Sequence, residues 1–256
     1  MKNIFLMAIN TIKEVKRHKI FYALGSVVIF IVGAGVILGP LSLSEQTRLS
    51  INFSFTACHI GLIVIAVYFA STLISHEIER KTIITLFTKP ISRMQFIIGK
   101  FLGLSFILLL ALLFLTLFVV FIYMIYRQPV GAILFIALWG IFLEALILLA
   151  IAFFFSSFTS SFLVLVYSVL VFIIGHSANS IIFFLGKGEG DSFFKLLVSI
   201  VTRVFPNFEK LNWRAQALYQ DSLVAGELLS CSIYSFSWII FLLIITGLLF
   251  KRKQIG

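Results

Sequence analysis

The chain is 256 residues long, 61% hydrophobic and only 12% charged, with 30 phenylalanines and a formal charge of +10. A soluble domain has about a quarter of its residues charged, so this composition excludes one. Apolar runs of twenty residues and more recur, each long enough to cross a hydrocarbon core about 30 Å thick as a helix, and they lack the alternation of barrel strands. The expected fold is an all-α membrane protein forming a single transmembrane domain over 1–256. The basic excess fits loops on the cytoplasmic face, and no nucleic-acid partner is expected.

Residues 1–19 open the chain with Ile4, Phe5, Ala8, Ile9, Ile12 and Val15 on one helical face and Lys2, Asn10, Lys13 and Arg17 on the other. That pattern predicts an amphipathic elbow helix lying in the membrane interface. A cleaved signal peptide is the alternative, but the basic region is long and Gly39-Pro40-Leu41-Ser42 is a poor cleavage site. Charge-free runs then predict spans at 20–39, 51–74 and 101–126. Residues 128–186 contain one ionisable acid, Glu144, and no Lys or Arg. A stretch that long must fold back, and the Ser156–Ser161 cluster supplies the turn, giving spans at 131–154 and 162–184.

The outer loop 185–228 carries Phe193, Leu197, Ile200 and Val204 at helical spacing, and Pro206 ends that helix. A turn at Pro206-Asn207 and a second short helix around Ala215–Ala225 follow, then a sixth span at 229–250. Six spans put both ends on one side. Thirteen of the 20 Lys and Arg residues fall on that side, in 1–19, 75–100 and 251–253, which makes it cytoplasmic.

The segment 75–100 is more than a basic loop. Ile78, Ile83, Leu86 and Phe87 share a face over 76–89. Pro90 disfavours helix at the residue before it, and Ser92 with Gln95 three residues on forms a capping box. A short helix, a proline turn and a capped helix running into the third span are expected.

This stretch resembles the cytoplasmic loop of bacterial type-2 ABC exporter permeases, among them the permeases of nitrous-oxide-reductase maturation and of antibiotic or sodium efflux systems. Their loop runs through acidic residues, Thr, an apolar helix, Pro, Ser-Arg and Gly-Lys. Here those are Glu77 and Glu79, Thr82, Leu86, Pro90, Ser92-Arg93 and Gly99-Lys100. Lys81 stands where relatives often have Gly. "FPNFEKLNW", Phe205 to Trp213, is similar to the segment before the last span of these permeases.

The resemblance implies a transmembrane subunit in the bacterial inner membrane, both termini cytoplasmic, moving substrate by alternating access. Its partners would be two copies of an ABC ATPase, a second permease copy or a similar permease, and membrane lipids. ATP and Mg would sit on the ATPase, with no cofactor on this chain. The coupling helix between spans two and three would dock on the ATPase through Glu77, Glu79, Arg80, Lys81, Thr82, Leu86 and Pro90, with Arg93 beside them.

The chain itself offers no nucleotide site. Gly186–Asp191, "GKGEGD", has glycines but no Gly-Lys-Ser/Thr opening a helix, and it lacks the ligand pattern of an EF-hand. Cys58 and Cys231 form no metal or redox pair. His18, His59, His76 and His176 show no metal-ligand spacing, so no metal and no catalytic residues are expected. Glu144 falls mid-span, where an ionised carboxylate costs about 2.5–3.5 kcal/mol on insertion scales. With His59, His176 and Asn179 it is a candidate lining for a translocation path; interhelical hydrogen bonding is the structural alternative. Two other functions compete: a non-transporting scaffold or channel subunit, and an intramembrane enzyme that requires Glu144 and His176 to meet.

Overall fold

The computed structural model of the chain describes residues 2–17, 25–26, 33, 46–79, 92–186, 204–219 and 225–252. They form seven α-helices longer than one turn: α1 (Lys2–Arg17), α2 (Gln46–Glu79), α3 (Arg93–Ile125), α4 (Ala132–Ser156), α5 (Ser161–Gly186), α6 (Arg214–Tyr219) and α7 (Ala225–Arg252). A 3-10 turn, Phe208–Leu211, precedes α6. Among the described residues, five helices are long and apolar enough to cross a membrane, within α2, α3, α4, α5 and α7. All of the expected span at 20–39 except residues 25, 26 and 33, the loop residues 80–91 and most of the expected helix at 193–204 lie outside the described residues.

Helix α4 is the axle of the bundle. Every residue from Gly140 to Phe153 is buried, because α2, α3, α5 and α7 all pack on it. This accounts for its sequence being apolar on all sides, the mark of a helix without a solvent face. Helix α3 is different. Leu102, Phe106, Leu110, Leu113, Leu117 and Phe121 form an exposed apolar stripe, spaced three or four residues apart as one helical face requires. The opposite stripe, from Phe96 through Leu104 and Leu108 to Ile122, packs inward.

The ends of the helices follow local chemistry. Ser92 caps α3: its hydroxyl accepts from the Gln95 amide at 3.2 Å, and the Gln95 side chain accepts from the Ser92 amide at 3.1 Å. Helix α2 starts earlier than expected and runs unbroken through Glu79. Residues 76–79 therefore continue the second span rather than beginning a separate short helix. The α4–α5 turn at Ser156–Ser160 comes where the hydroxyl cluster predicts it. Ser156, Ser157 and Thr159 donate to the Phe153, Phe154 and Phe155 carbonyls, satisfying orphan groups at the end of α4. Phe154, Phe155 and Phe158 stack on one another at 5.2–5.9 Å between centroids.

Helix α1 buries Met7, Thr11 and Val15, one residue per turn, against the start of α3. Close approach is possible because α3 presents Gly99 and Gly103 there. A Cβ on Gly99 would lie 2.6 Å from Met7 Cβ and 3.0 Å from the Ile4 carbonyl oxygen. Between the glycines, the buried Lys100 donates to the Leu73 carbonyl at 3.1 Å. Its ammonium lies 5.3 Å from the Phe96 ring centroid and 4.0 Å from a Glu14 carboxylate oxygen. One cation thus stitches α1, α2 and α3. At the same end, Arg93 donates to the Phe250 carbonyl near the end of α7, and Met94 fills the notch left by Gly247.

The far end is closed by residues 205–219. Phe208, Leu211 and Trp213 are buried, seated over α4 and α5 where Gly140 and Gly175 leave room. Pro206-Asn207 makes the expected turn. Asn207 Oδ1 accepts from the Glu209 amide at 3.0 Å, and the Asn207 amide donates to the Tyr234 hydroxyl at 2.9 Å. The expected helix around Ala215–Ala225 is present as α6, Arg214–Tyr219; residues 220–224 lie outside the described residues.

Candidate functional site

Glu144 is at the midpoint of α4, about 18 Å from either end at 1.5 Å per residue. Its side chain is only 3% exposed. Two imidazoles meet it there. His59 of α2 places Nε2 at 2.8 Å from Glu144 Oε2, a hydrogen bond buried on both sides. His176 of α5 places its own Nε2 at 3.2 Å from the other oxygen, Oε1. That second approach lacks hydrogen-bond alignment, and neither Glu144 Oε1 nor a His176 ring nitrogen has a hydrogen-bond partner among the described residues.

The two imidazole rings lie 5.5 Å apart, centroid to centroid. Phe172, one turn before His176, covers both of them at 5.8 Å and 4.6 Å. Phe208 meets His176 edge to face at 5.8 Å. The cluster is thus a polar knot in an aromatic sleeve. The His59 bond offsets the desolvation of the carboxylate, while the His176 side of the carboxylate is left open. His176 is 21% exposed at its side chain, although both of its ring nitrogens are buried. One turn further on, exposed Asn179 accepts from Asn207 Nδ2 at 2.9 Å, so the closing segment is tied to the same face of α5.

His59, Glu144 and His176 offer one ligand atom each within 4.8 Å of one another. Histidine spacing along the chain pointed to no metal site; the three donors meet only in the fold. The sequence also did not single out Phe172, Phe208 or Asn207. The periodicity of α5 held the signal for Phe172, four residues before His176 and on its face. The proximity of Glu144 and His176 that an intramembrane enzyme requires is present, although Phe172 and Phe208 on the walls offer no nucleophile.

The expected ATPase-contact residues are distributed differently. Glu77 and Glu79 fall in the last turn of α2. Arg80, Lys81, Thr82, Leu86 and Pro90 lie outside the described residues. Arg93 opens α3, with one nitrogen of its guanidinium on the Phe250 carbonyl. A second recess, about 490 Å³ and almost wholly apolar, lies between α4, α5 and α7, with Phe155, Val171, Phe205, Trp238 and Leu242 on its walls.

The model of the family described as "ABC-2 family transporter protein" matches residues 2–182, from the first residues of α1 into the last turns of α5. The chain belongs to the ABC-2 transporter family. This ABC-2 protein is therefore a multi-pass membrane component of a transport system, and the family's membrane component is not itself the catalyst. No curated protein matches it. Within the matched region lie all three members of the Glu–His–His cluster and both helices that flank residues 80–91.

Proposed function

We propose that this ABC-2 protein is the permease subunit of an ATP-driven exporter in a bacterial inner membrane, working with two copies of a separate ATPase that hold ATP and Mg. A second permease, identical or similar, completes the pathway. Both ends face the cytoplasm, and residues 75–100 couple the ATPase to the spans.

One observation carries the mechanism. The helices entering and leaving the coupling segment are fastened to the rest of the bundle close to the segment itself. Lys100 joins α3 to the Leu73 carbonyl of α2, Gly99 and Gly103 seat α1 on α3, and Arg93 holds the end of α7. A push on residues 80–91 is therefore delivered to α1, α2, α3 and α7 together, as a rigid lever requires. Closure of the ATPase pair supplies the push, and tilting of these helices around α4 alternates access. The apolar recess beside Trp238 suits an apolar or amphipathic cargo reached from the lipid side.

Charge reversal at the lever tests this. Glu77→Lys with Glu79→Lys is expected to abolish co-purification of the ATPase and cargo-stimulated ATP hydrolysis in proteoliposomes, with the permease still monodisperse. Unchanged hydrolysis and co-purification would end the proposal and leave a channel or scaffold role. The enzyme alternative draws on the meeting of Glu144 and His176; it requires substrate turnover by the purified chain without any ATPase.

A further inference from the structure

The geometry points to His59, Glu144 and His176 as a binding site for one divalent transition-metal ion inside the transmembrane bundle. The site stands on its own donors and does not depend on the coupling mechanism above.

A proton alone answers only half of this cluster. It serves the 2.8 Å contact between His59 Nε2 and Glu144 Oε2. The other half is a carboxylate oxygen and an imidazole nitrogen that face each other at 3.2 Å with no hydrogen bond between them and no other partner among the described residues. Buried polar atoms are nearly always paired, and an exception requires a cause. Here the cause is an arrangement suited to a shared cation. Two ligands about 2.0–2.1 Å from one tetrahedral ion stand about 3.3 Å apart, and each lone pair aims at the ion rather than at the other ligand. A close pair out of hydrogen-bond alignment has that form.

The donor set agrees. Two imidazoles and one carboxylate suit zinc and its neighbours, and poorly suit magnesium or calcium, which take oxygen ligands. All three ligand atoms already lie within 4.8 Å of one another, so side-chain rotation closes the shell. The donors come from α2, α4 and α5, and α4 packs against both of the others. The fourth position lies on the His176 side of the carboxylate, where the His176 side chain is 21% exposed although its ring nitrogens are buried. One carboxylate leaves a dipositive ion with a net charge of +1, so that position is filled by an anionic ligand or hydroxide.

Co2+ is the probe, because a four- or five-coordinate site gives it intense visible absorption. The full chain, purified in detergent and stripped with chelator, is expected to take up one Co2+ per chain with that spectrum, and to exchange it for Zn2+. Glu144→Gln and His176→Gln are each expected to weaken binding by more than about 100-fold, since removing a ligand exceeds the 10–100-fold cost of losing even its supporting hydrogen bond. His18→Gln with His76→Gln serves as the control for adventitious histidine binding and is expected to leave stoichiometry and spectrum unchanged. Melting curves of the metal-free variants check folding. If Glu144→Gln fails to fold, His176→Gln alone decides, because His176 is the most exposed of the three. Uptake that is equal in wild type and His176→Gln, or absent from wild type, would overturn the proposal and leave a hydrogen-bonded His59–Glu144 pair.

Discussion

Gly103→Val places a branched side chain where α1 already touches α3. The first methylene-sized step alone puts Cβ at 2.8 Å from the Ala8 carbonyl oxygen, 2.9 Å from Thr11 Cβ and 3.1 Å from Ala8 Cα. Ordinary contact begins near 3.4 Å, so α1 must retreat by at least about 0.6 Å, and the two methyl groups of valine require more. Overpacking of this kind costs about 1–3 kcal/mol. Valine recovers only about 0.4 kcal/mol over glycine in helix propensity. The net loss is about 1.6 kcal/mol, felt at the α1–α3 contact and equivalent to about a 15-fold change in an equilibrium constant. Hydrogen exchange in detergent reads this directly: amides of Met7 to Val15 should lose about 15-fold in protection while those of α4 do not change. Gly226→Ala is the control. A Cβ there meets nothing within 4 Å among the described residues, so it should be neutral or stabilising by up to about 1 kcal/mol. Unchanged α1 protection in Gly103→Val, or an equal loss across α4, would refute the claim that these glycines seat α1.

Ser92→Ala removes the cap of α3 and should cost about 1 kcal/mol, seen as faster exchange in the first turn from Met94 to Ile97 and nowhere deeper. Lys100→Met keeps the length and packing of a buried stem while deleting the charge; its melting temperature should stay level or rise, as buried ion sites replaced by apolar side chains often do, whereas Lys100→Ala should lower it through the cavity it leaves. Gly175→Ala drives a methyl group to 2.6 Å from the Pro206 carbonyl oxygen and into the Phe208 ring. That should unseat the closing segment, shift Trp213 fluorescence to longer wavelength and make His176 more reactive toward a histidine-modifying reagent.

The α4–α5 hairpin was legible because turn chemistry punctuates the apolar run between 128 and 186. Expected spans at 131–154 and 162–184 correspond to Ala132–Ser156 and Ser161–Gly186, since serines and threonine at the turn satisfy the helix end locally. The start of α2 was misplaced because Arg48 reads as a boundary. Nothing between Gln46 and Ile60 breaks a helix, and Arg48 lies over the Tyr219 ring at 5.2 Å instead of ending one. The capping box at Ser92 and Gln95 was legible because capping is local. The seating of α1 had a signal that went unused: Gly99 and Gly103 are a small-xxx-small pair, the pattern that lets helices approach closely within membranes. Glu144, His59 and His176 stood out in the sequence as polar residues at membrane depth, but their meeting in one cluster had no signal. Its members are 85 and 32 residues apart along the chain, and which helices neighbour α4 is decided by packing, not by spacing.

The hairpin between α4 and α5 reads as hydrophilic in one-letter code, yet the hydroxyls of Ser156, Ser157 and Thr159 are spent on carbonyls of the turn just traversed. Ser160 is exposed beside them. A protein or lipid arriving at that corner is greeted by Phe158, half exposed at the tip, with two more benzyl groups behind it, so adhesion there draws on grease far more than the one-letter code suggests.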